Sequence, residues 1–168
     1  MGVSGSGKTT VARGISTLTG LRFAEADTFH SEWNVARMRS GLPLDDAARW
    51  PWLRELASWM AARSAEGVST VLACSALKRS YRDVLRKGPP DLSFVYLHGS
   101  AEMIRERMSR REGHYMPASL LNSQFAILQP PQPDESSLVL DVSAEPEALV
   151  SAAVMGLGLC PEGAVRSR

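Results

Sequence analysis

The chain lacks the features that mark membrane, secreted or nucleic-acid-binding proteins. Its 168 residues carry a net charge of +1, so no charge excess attracts nucleic acid or an anionic membrane. No apolar run approaches the roughly 20 residues that cross a bilayer. Only two cysteines are present, Cys74 and Cys160, which form no disulfide framework and favour the cytoplasm. We therefore expect neither a nucleic acid nor a membrane partner.

Two kinds of binding site are also missing from the sequence. The three histidines lie far apart, without zinc-ligand spacing, so we expect no structural zinc. The sequence has no Asn-Lys-x-Asp guanine motif, which disfavours a GTPase switch. Its 44% hydrophobic and 22% charged residues are ordinary for a globular protein, and the length suits one domain with its own core.

The chain does have a complete phosphate-binding motif at its start. Residues 2–9 read Gly-Val-Ser-Gly-Ser-Gly-Lys-Thr, which matches G-x-x-x-x-G-K-[ST]. Such glycines let backbone N–H groups turn toward phosphate oxygens, and the next helix points its positive end at them. We expect Lys8 to reach the β- and γ-phosphates and Thr9 to bind Mg²⁺. ATP and Mg²⁺ are the predicted cofactors, and the predicted nucleotide-binding residues of this loop are Gly2, Ser4, Gly5, Ser6, Gly7, Lys8, Thr9 and Thr10.

Only Met1 precedes this motif in the sequence. A phosphate loop normally follows a buried β-strand in the middle of a parallel sheet. Without that strand, its neighbours would lose a ladder partner and a row of buried side chains. We expect either that residues upstream of Met1 form this strand or that another segment fills its place, and we favour the first.

Strands and helices alternate along the rest of the chain. Apolar runs predict strands at 21–26, 69–73, 93–97 and 138–142. Helical spacing predicts helices at 8–18, 32–39, 51–66, 77–86, 100–111, 117–129 and 146–157, with Pro51 at the first position of the third. This alternation predicts an α/β fold of the P-loop NTPase type, with a parallel sheet of about five strands and helices on both faces. One kinase-like domain over 1–157 and a disordered tail over 158–168 are expected.

Residues that follow the strands are candidates for chemistry, because open α/β sheets bind ligands at the carboxyl ends of their strands. Asp27 follows the strand at 21–26. A carboxylate there would orient an attacking hydroxyl, accept its proton and hold Mg²⁺ through water. The alternative is a helix cap ahead of Glu32. We favour the catalytic role, because the position lies beside the phosphate loop.

Two basic groups have both a functional and a structural interpretation. Arg107 and Arg111 share a face near a predicted helix end, where a guanidinium could stabilise the transferred phosphoryl group or simply face solvent. Gly113 follows as a candidate hinge and favours a mobile lid over about 107–125. Lys78 and Arg82 lie in a helix after a strand, where they could bind a carboxylate or phosphate or form a surface face.

The order of these segments resembles the gluconokinase family, small phosphate-loop kinases related in architecture to shikimate kinases. The matching pieces run from Met1 to about Asp141. They are the phosphate loop; Glu25-Ala26-Asp27 with His30 and Asn34; 38–46; Arg49 with Pro51-Trp52-Leu53; Cys74-Ser75-Ala76-Leu77-Lys78 with Tyr81-Arg82-Asp83; and 111–116 with Gln124-Phe125. Ser31, Trp33 and Asp45 depart from the family's usual residues.

The resemblance implies transfer of a phosphoryl group from ATP to the 6-hydroxyl of D-gluconate, with Mg²⁺, a five-stranded sheet, a mobile lid and often a homodimer. It places Asp27 on the acceptor hydroxyl. His30, Arg49, Lys78 and Arg82 would line the sugar-acid pocket. Arg107 would bind nucleotide, Arg111 would be catalytic and His114 would bind substrate, all three as parts of the lid. The rival hypotheses are a kinase of shikimate or another sugar acid, and a nucleotide-binding module without transfer activity.

Overall fold

The computed structural model describes residues 1–109 and 118–160. Four strands and seven α-helices alternate along this part of the chain. In order they are α1 (Lys8–Thr19), β1 (Arg22–Glu25), a 3₁₀ helix (Ala26–Phe29), α2 (Glu32–Arg39), α3 (Asp46–Ala65), β2 (Thr70–Ala73), α4 (Arg79–Leu85), β3 (Phe94–His98), α5 (Ala101–Ser109), α6 (Ala118–Ile127), β4 (Ser137–Asp141) and α7 (Pro146–Gly156).

The four strands form two parallel pairs. β1 pairs with β2, with Arg22 opposite Thr70, and β3 pairs with β4, with Phe94 opposite Ser137. The predicted parallel, α/β character is confirmed. The described residues do not form the single sheet of about five strands that we predicted, because no full strand joins β2 to β3.

Met1 and Gly2 link the two pairs through backbone hydrogen bonds. The Met1 amine donates to the Val95 carbonyl, and the Leu97 N–H donates to the Met1 carbonyl at 2.9 Å. On the opposite side, the Gly2 N–H donates to the Ser75 carbonyl at 3.1 Å. The phosphate loop is thereby anchored at the carboxyl ends of both β2 and β3.

Helices cover both faces of the strands, because neighbouring residues of β3 pack into different hydrophobic clusters. Leu97 belongs to a cluster with α1 and α7, and Phe94 belongs to one with α3 and α4. The first cluster includes Val11, Ile15, Leu149, Ala153 and Val154; the second includes Leu53, Leu56, Met60, Tyr81 and Leu85. Strands that are buried on both faces are typical of parallel sheets. No helix within 1–109 or 118–160 has the length and apolarity that a bilayer crossing requires.

Local sequence explains most helix ends. Gly20 has a φ of 70° and closes α1 in the left-handed conformation that glycine favours. The start of α3 corrects our prediction that Pro51 opens the helix. Asp45 caps the helix by accepting from the Ala48 N–H at 2.8 Å, and Pro51 lies inside it. A proline in the second turn removes one hydrogen bond, a loss that the cap and the buried face of α3 offset.

Candidate active site

The phosphate loop connects the Met1 link to α1 and requires glycine for two reasons. Gly2, Gly5 and Gly7 have φ values of 144°, 82° and 89°, a region that side chains rarely adopt. A Cβ at Gly2 would also lie 2.8 Å from the Leu97 carbonyl oxygen, and one at Gly5 would lie 2.6 Å from Met108. The loop thus packs closely against β3 and α5 while its backbone turns.

The loop has the polar groups that a phosphate chain needs. Lys8 Nζ donates to the Val3 carbonyl at 2.9 Å, which holds the ammonium group across the loop. Ser6 is 1% exposed, and its Oγ has no hydrogen-bond partner in the described chain. Gln124 of α6 accepts from the Ser4 N–H at 2.7 Å and donates to Ser4 Oγ at 3.0 Å. An unpartnered buried hydroxyl inside a glycine-rich turn fits a loop that binds anions.

Thr9 meets a carboxylate at the end of β1. Its Oγ1 donates to Glu25 Oε2 at 2.8 Å on the solvent-facing side of α1. Hydroxyl and carboxylate oxygens suit Mg²⁺, which keeps several waters and needs few protein ligands when phosphates also bind it. In residues 1–109 and 118–160 no three His, Cys, Asp or Glu side chains cluster as a metal cage. The donor set therefore fits an Mg²⁺ ion that arrives with a nucleotide.

Asp27 and His30 lie together just beyond β1. Asp27 is in the 3₁₀ helix with its side chain 75% exposed, whereas the His30 side chain is 4% exposed. His30 Nε2 lies 4.0 Å from Asp27 Oδ1, and its ring stacks on Trp52 with centroids 4.2 Å apart. Asn34 Nδ2 lies 3.4 Å from His30 Nδ1 and donates to the Ala48 carbonyl at 3.2 Å. His30 is thus held rigidly while Asp27 is open to a ligand.

Arg49 and Lys78 meet at a second carboxylate. Lys78 Nζ donates to both oxygens of Asp46, at 2.8 and 2.9 Å. Arg49 donates to the Tyr81 hydroxyl at 2.9 Å, and that hydroxyl donates to Asp46. The network joins the first turn of α3 to the start of α4. Hydrogen bonds therefore hold the side chains of Arg49 and Lys78 in place.

Burial and pairing set the charges of these groups. Burial lowers the pKa of His30, and the nearby Arg49 lowers it further, against the opposing effect of Asp27. Hydrogen bonds from Lys78 and Tyr81 lower the pKa of Asp46, while the bond to Asp46 raises the pKa of Lys78. At neutral pH the site therefore combines a neutral imidazole with a charged Lys–Asp pair.

Arg82 does not line this site, which corrects our prediction. Its side chain is 0% exposed and its Nε and Nη2 bind Glu135 at 2.6 and 2.8 Å. Nη1 donates to the carbonyls of Ala76 and Gln129 at 3.1 and 3.0 Å. Its donors are thus used inside the fold, where the guanidinium ties α4 to the segment before β4. Glu135 lies 53 residues away along the chain, so no local pattern indicates this pairing.

The predicted lid is described only at its two ends. Arg107 donates to the Val142 carbonyl after β4, and Met108 of the same helix packs on the phosphate loop at Gly5. Arg111 and His114 lie outside the described residues, as does the rest of 110–117. Their assignments stay predictions.

Three side chains of the site were absent from our list of candidates. Glu25 is the last residue of β1, so the rule that selected residues after a strand missed it, and a rule that included the strand's last residues would have found it. Asp46 lies in the first turn of α3, and both it and Tyr81 are part of the resemblance without a role of their own. Their contacts to Lys78 and Arg49 cross from α3 to α4, and sequence spacing does not reveal such contacts.

Known proteins share these features. A family model described as an AAA domain matches residues 1–131. A gluconokinase of Gluconobacter oxydans (strain 621H) is 49% identical over 145 residues, which cover 86% of this chain and 80% of that protein. The chain belongs to the gluconokinase family. The family assignment made from the sequence motifs is thus confirmed.

Two solved structures extend the likeness to the backbone. An unliganded sugar kinase of Janibacter sp. HTCC2649 is 59% identical with a TM-score of 0.92, covering 99% of this chain and 96% of that one. A gluconokinase of Sinorhizobium meliloti 1021 is 43% identical with a TM-score of 0.86, covering 94% of this chain and 89% of that one. This gluconokinase-family member therefore has the P-loop kinase fold.

Proposed function

We propose that the protein transfers the γ-phosphoryl group of ATP to the 6-hydroxyl of D-gluconate, giving 6-phospho-D-gluconate and ADP. One observation carries the proposal: the phosphate loop and an exposed carboxylate meet at the end of β1. Glu25 contacts Thr9 of the phosphate loop, and Asp27 follows two residues later beside the buried His30. The family's activity needs such a juxtaposition of donor and acceptor.

The phosphate loop binds and orients the donor. Its backbone N–H groups and Lys8 hold the β- and γ-phosphates, and the positive end of α1 lies behind them. Mg²⁺, bound through Thr9 with Glu25 beside it, would supply charge neutralisation on the same phosphates. Phosphoryl transfer needs little covalent chemistry from the protein, so this positioning is the larger part of catalysis.

Asp27 orients the acceptor. Its exposed carboxylate accepts the proton of the 6-hydroxyl as that oxygen forms its bond to phosphorus and the bond from phosphorus to the ADP oxygen breaks. Arg49 and Lys78 supply positive charge for the gluconate carboxylate, and the neutral His30 hydrogen-bonds a sugar hydroxyl. Asp46 and Tyr81 hold both cations in place before the substrate arrives.

The remaining assignments belong to the same proposal. Arg107 contacts nucleotide, Arg111 stabilises the transferred phosphoryl group and His114 contacts the substrate, within a lid over 107–125 that excludes water. The protein acts in the cytoplasm as one kinase domain over 1–157, as a homodimer. Size-exclusion chromatography with light scattering tests the dimer.

Kinetics of the Asp27→Asn variant test the proposal directly. We expect kcat to fall by about 10²–10⁴, because general-base catalysis contributes on that order. ATP affinity, measured by calorimetry, should change far less, since Asp27 does not belong to the phosphate loop. Asp91→Asn is a matched control at an exposed carboxylate away from the site.

A panel of acceptors in a coupled ADP assay separates the rival functions. Gluconate should turn over faster than shikimate or other sugar acids.

Equal losses of kcat and ATP affinity in Asp27→Asn would reject its orienting role. ATP binding without ADP formation from any acceptor would identify a nucleotide-binding module instead.

A further inference from the structure

The peptide group between Val3 and Ser4 is hydrogen-bonded on both of its sides. Its carbonyl oxygen accepts from Lys8 Nζ at 2.9 Å and from the Ser6 N–H at 3.2 Å. Its N–H donates to Gln124 Oε1 at 2.7 Å. Because a trans peptide points its N–H and its C=O in opposite directions, these bonds together fix the plane of this peptide. A change at Gln124 therefore acts on the carbonyl group that binds Lys8.

The Gln124 carboxamide has one favourable orientation at this contact. Its Nε2 donates to Ser4 Oγ at 3.0 Å while its Oε1 accepts from the Ser4 N–H. A flipped amide would place its NH₂ group against the Ser4 N–H, so that two donors would meet. Both polar ends of the Gln124 side chain thus bind the same residue of the phosphate loop.

Packing of α6 on the core brings Gln124 to the loop. Leu121, which precedes Gln124 by three residues, is 2% exposed and belongs to the same hydrophobic cluster as Val3. Phe125 packs against that cluster as well. Residues three or four apart share a face of a helix, so the buried face of α6 also carries Gln124 toward Ser4. The contact is therefore supported by the core and not only by its two hydrogen bonds.

We propose that Gln124 is a positioning residue of the nucleotide site. It fixes the Val3–Ser4 peptide and thereby the ammonium group of Lys8, which binds the β- and γ-phosphates. Gln124 is part of the resemblance to gluconokinases but has no role in the mechanism proposed above. The inference rests on the proposed nucleotide site and is independent of which acceptor the enzyme uses.

Loss of the Gln124 acceptor should let this peptide rotate. The Ser4 N–H would then need another acceptor, and a peptide that turns toward one moves the Val3 carbonyl away from Lys8. The ammonium group, on its flexible side chain, would spend less time within reach of the phosphate oxygens. Affinity for nucleotides that carry a β-phosphate should therefore fall.

Calorimetry of Mg²⁺–ADP binding tests the proposal without any acceptor. Gln124→Met keeps the length of the side chain without its polar ends. We expect this variant to weaken ADP binding about 10-fold, in the range that one lost hydrogen bond causes. Gln129→Met is a matched control, because Gln129 Oε1 also accepts a backbone N–H, that of Arg79 at 2.8 Å, but at the start of α4. ADP binding should be unchanged in the control.

A double-mutant cycle tests the route through Lys8. If Gln124 acts by placing Lys8, Gln124→Met should weaken ADP binding by less than about twofold in a Lys8→Met background. A merely structural role would lower the affinity by the same factor in both backgrounds. AMP gives a second readout, because it lacks the β-phosphate that Lys8 binds. Its affinity should be the same in Gln124→Met and in the parent.

Several results would overturn the proposal. One is an ADP affinity in Gln124→Met equal to that of the parent. Another is an additive double-mutant cycle, or equal losses of ADP and AMP affinity, either of which would make Gln124 a packing residue.

Ser4→Ala keeps the proposal testable if Gln124→Met does not fold. It retains the Ser4 N–H and removes only the contact that orients the Gln124 amide, so ADP binding should weaken by a smaller factor, about threefold. An unchanged ADP affinity in Ser4→Ala would then count against the proposal. None of these readouts uses gluconate, so they can fail or succeed separately from the proposed transfer to gluconate.

Discussion

At the scale of single residues, charged side chains divide into those that face the site and those that hold the fold. Asp27 is exposed beside the phosphate loop, whereas Arg82 and Glu135 are fully buried against each other. In the sequence, a charged residue that faces the site cannot be told from one that is buried in an ion pair. The difference arises from partners that lie tens of residues away, which only the folded chain brings together.

Glu25 is expected to tune the metal requirement of the reaction. Its carboxylate accepts from the Thr9 hydroxyl that binds Mg²⁺ in phosphate loops. We expect Glu25→Gln to raise the half-saturating Mg²⁺ concentration about 10-fold, in the range that loss of an outer-shell partner causes. Steady-state rates over an Mg²⁺ titration check this. Glu145→Gln, at an exposed residue whose side chain makes no cap hydrogen bond to α7, should leave the titration unchanged. An unchanged curve for both variants would contradict the role.

Arg82→Met should destabilise the fold without weakening substrate binding. Removing one member of a buried ion pair leaves Glu135 with Arg86, at 3.2 Å, as its cationic partner, so the free energy of unfolding should fall by about 3 kcal/mol, the lower end of the usual range. Urea denaturation measures this loss, and Arg79→Met, at an exposed ion pair, should lose little. A stable Arg82→Met variant with a strongly raised KM for gluconate would show instead that Arg82 contributes to the acceptor pocket.

At the scale of secondary-structure elements, the sequence predicted which helices and strands form more accurately than it predicted where they begin and end. The helices at Lys8–Thr19 and Glu32–Arg39 agree closely with their predicted ranges. The start of α3 shifted from Pro51 to Asp46, because a cap at Asp45 extends the helix ahead of the proline. That extra turn carries Asp46 and Arg49 into the site, so the cap has a functional consequence.

Loss of the α3 cap should be measurable. Asp45→Ala removes the acceptor for the Ala48 N–H and should lower the free energy of unfolding by about 1 kcal/mol. Chemical denaturation followed by circular dichroism measures the change. Asp45→Asn keeps a good capping side chain and should retain most of the stability. Equal losses in the two variants would show that charge, rather than the hydrogen bond, stabilises this helix end.

At the scale of the whole molecule, stability should fall in acid because paired carboxylates must take up protons. Hydrogen bonds from Arg82 lower the pKa of Glu135 from 4.5 to about 2. The folded state then binds fewer protons than the unfolded state at intermediate pH. This contribution is complete above about pH 4.5 and is lost as the pH falls toward 2.

Urea denaturation at pH 7, 4.5 and 3 should show this loss. The pKa values of Asp46, Asp134 and Asp141 are also lowered, by hydrogen bonds from their partners, and act in the same direction. Glu135→Gln should be less stable than the parent at pH 7 and less sensitive to acid. A parent protein whose stability stays constant from pH 7 to 3 would contradict this account.

The sequence by itself determined the phosphate loop, the alternation of strands and helices, and the family, because these depend on contiguous residues and short-range spacing. Gly2, Gly5 and Gly7 have positive φ angles, and this requirement belongs to the loop's own backbone rather than to its surroundings. Asp27 could be predicted as a site residue because the end of a strand can be recognised from neighbouring residues in the sequence.

Tertiary structure alone decided which cation faces the site and which is buried, and how the strands meet. Lys78 and Arg82 are four residues apart, yet one pairs with Asp46 near the surface and the other with Glu135 in the core. The pairing of the strands depends on packing among distant segments. Such contacts are set by burial and hydrogen-bond satisfaction across the whole fold, and no window of the sequence contains them.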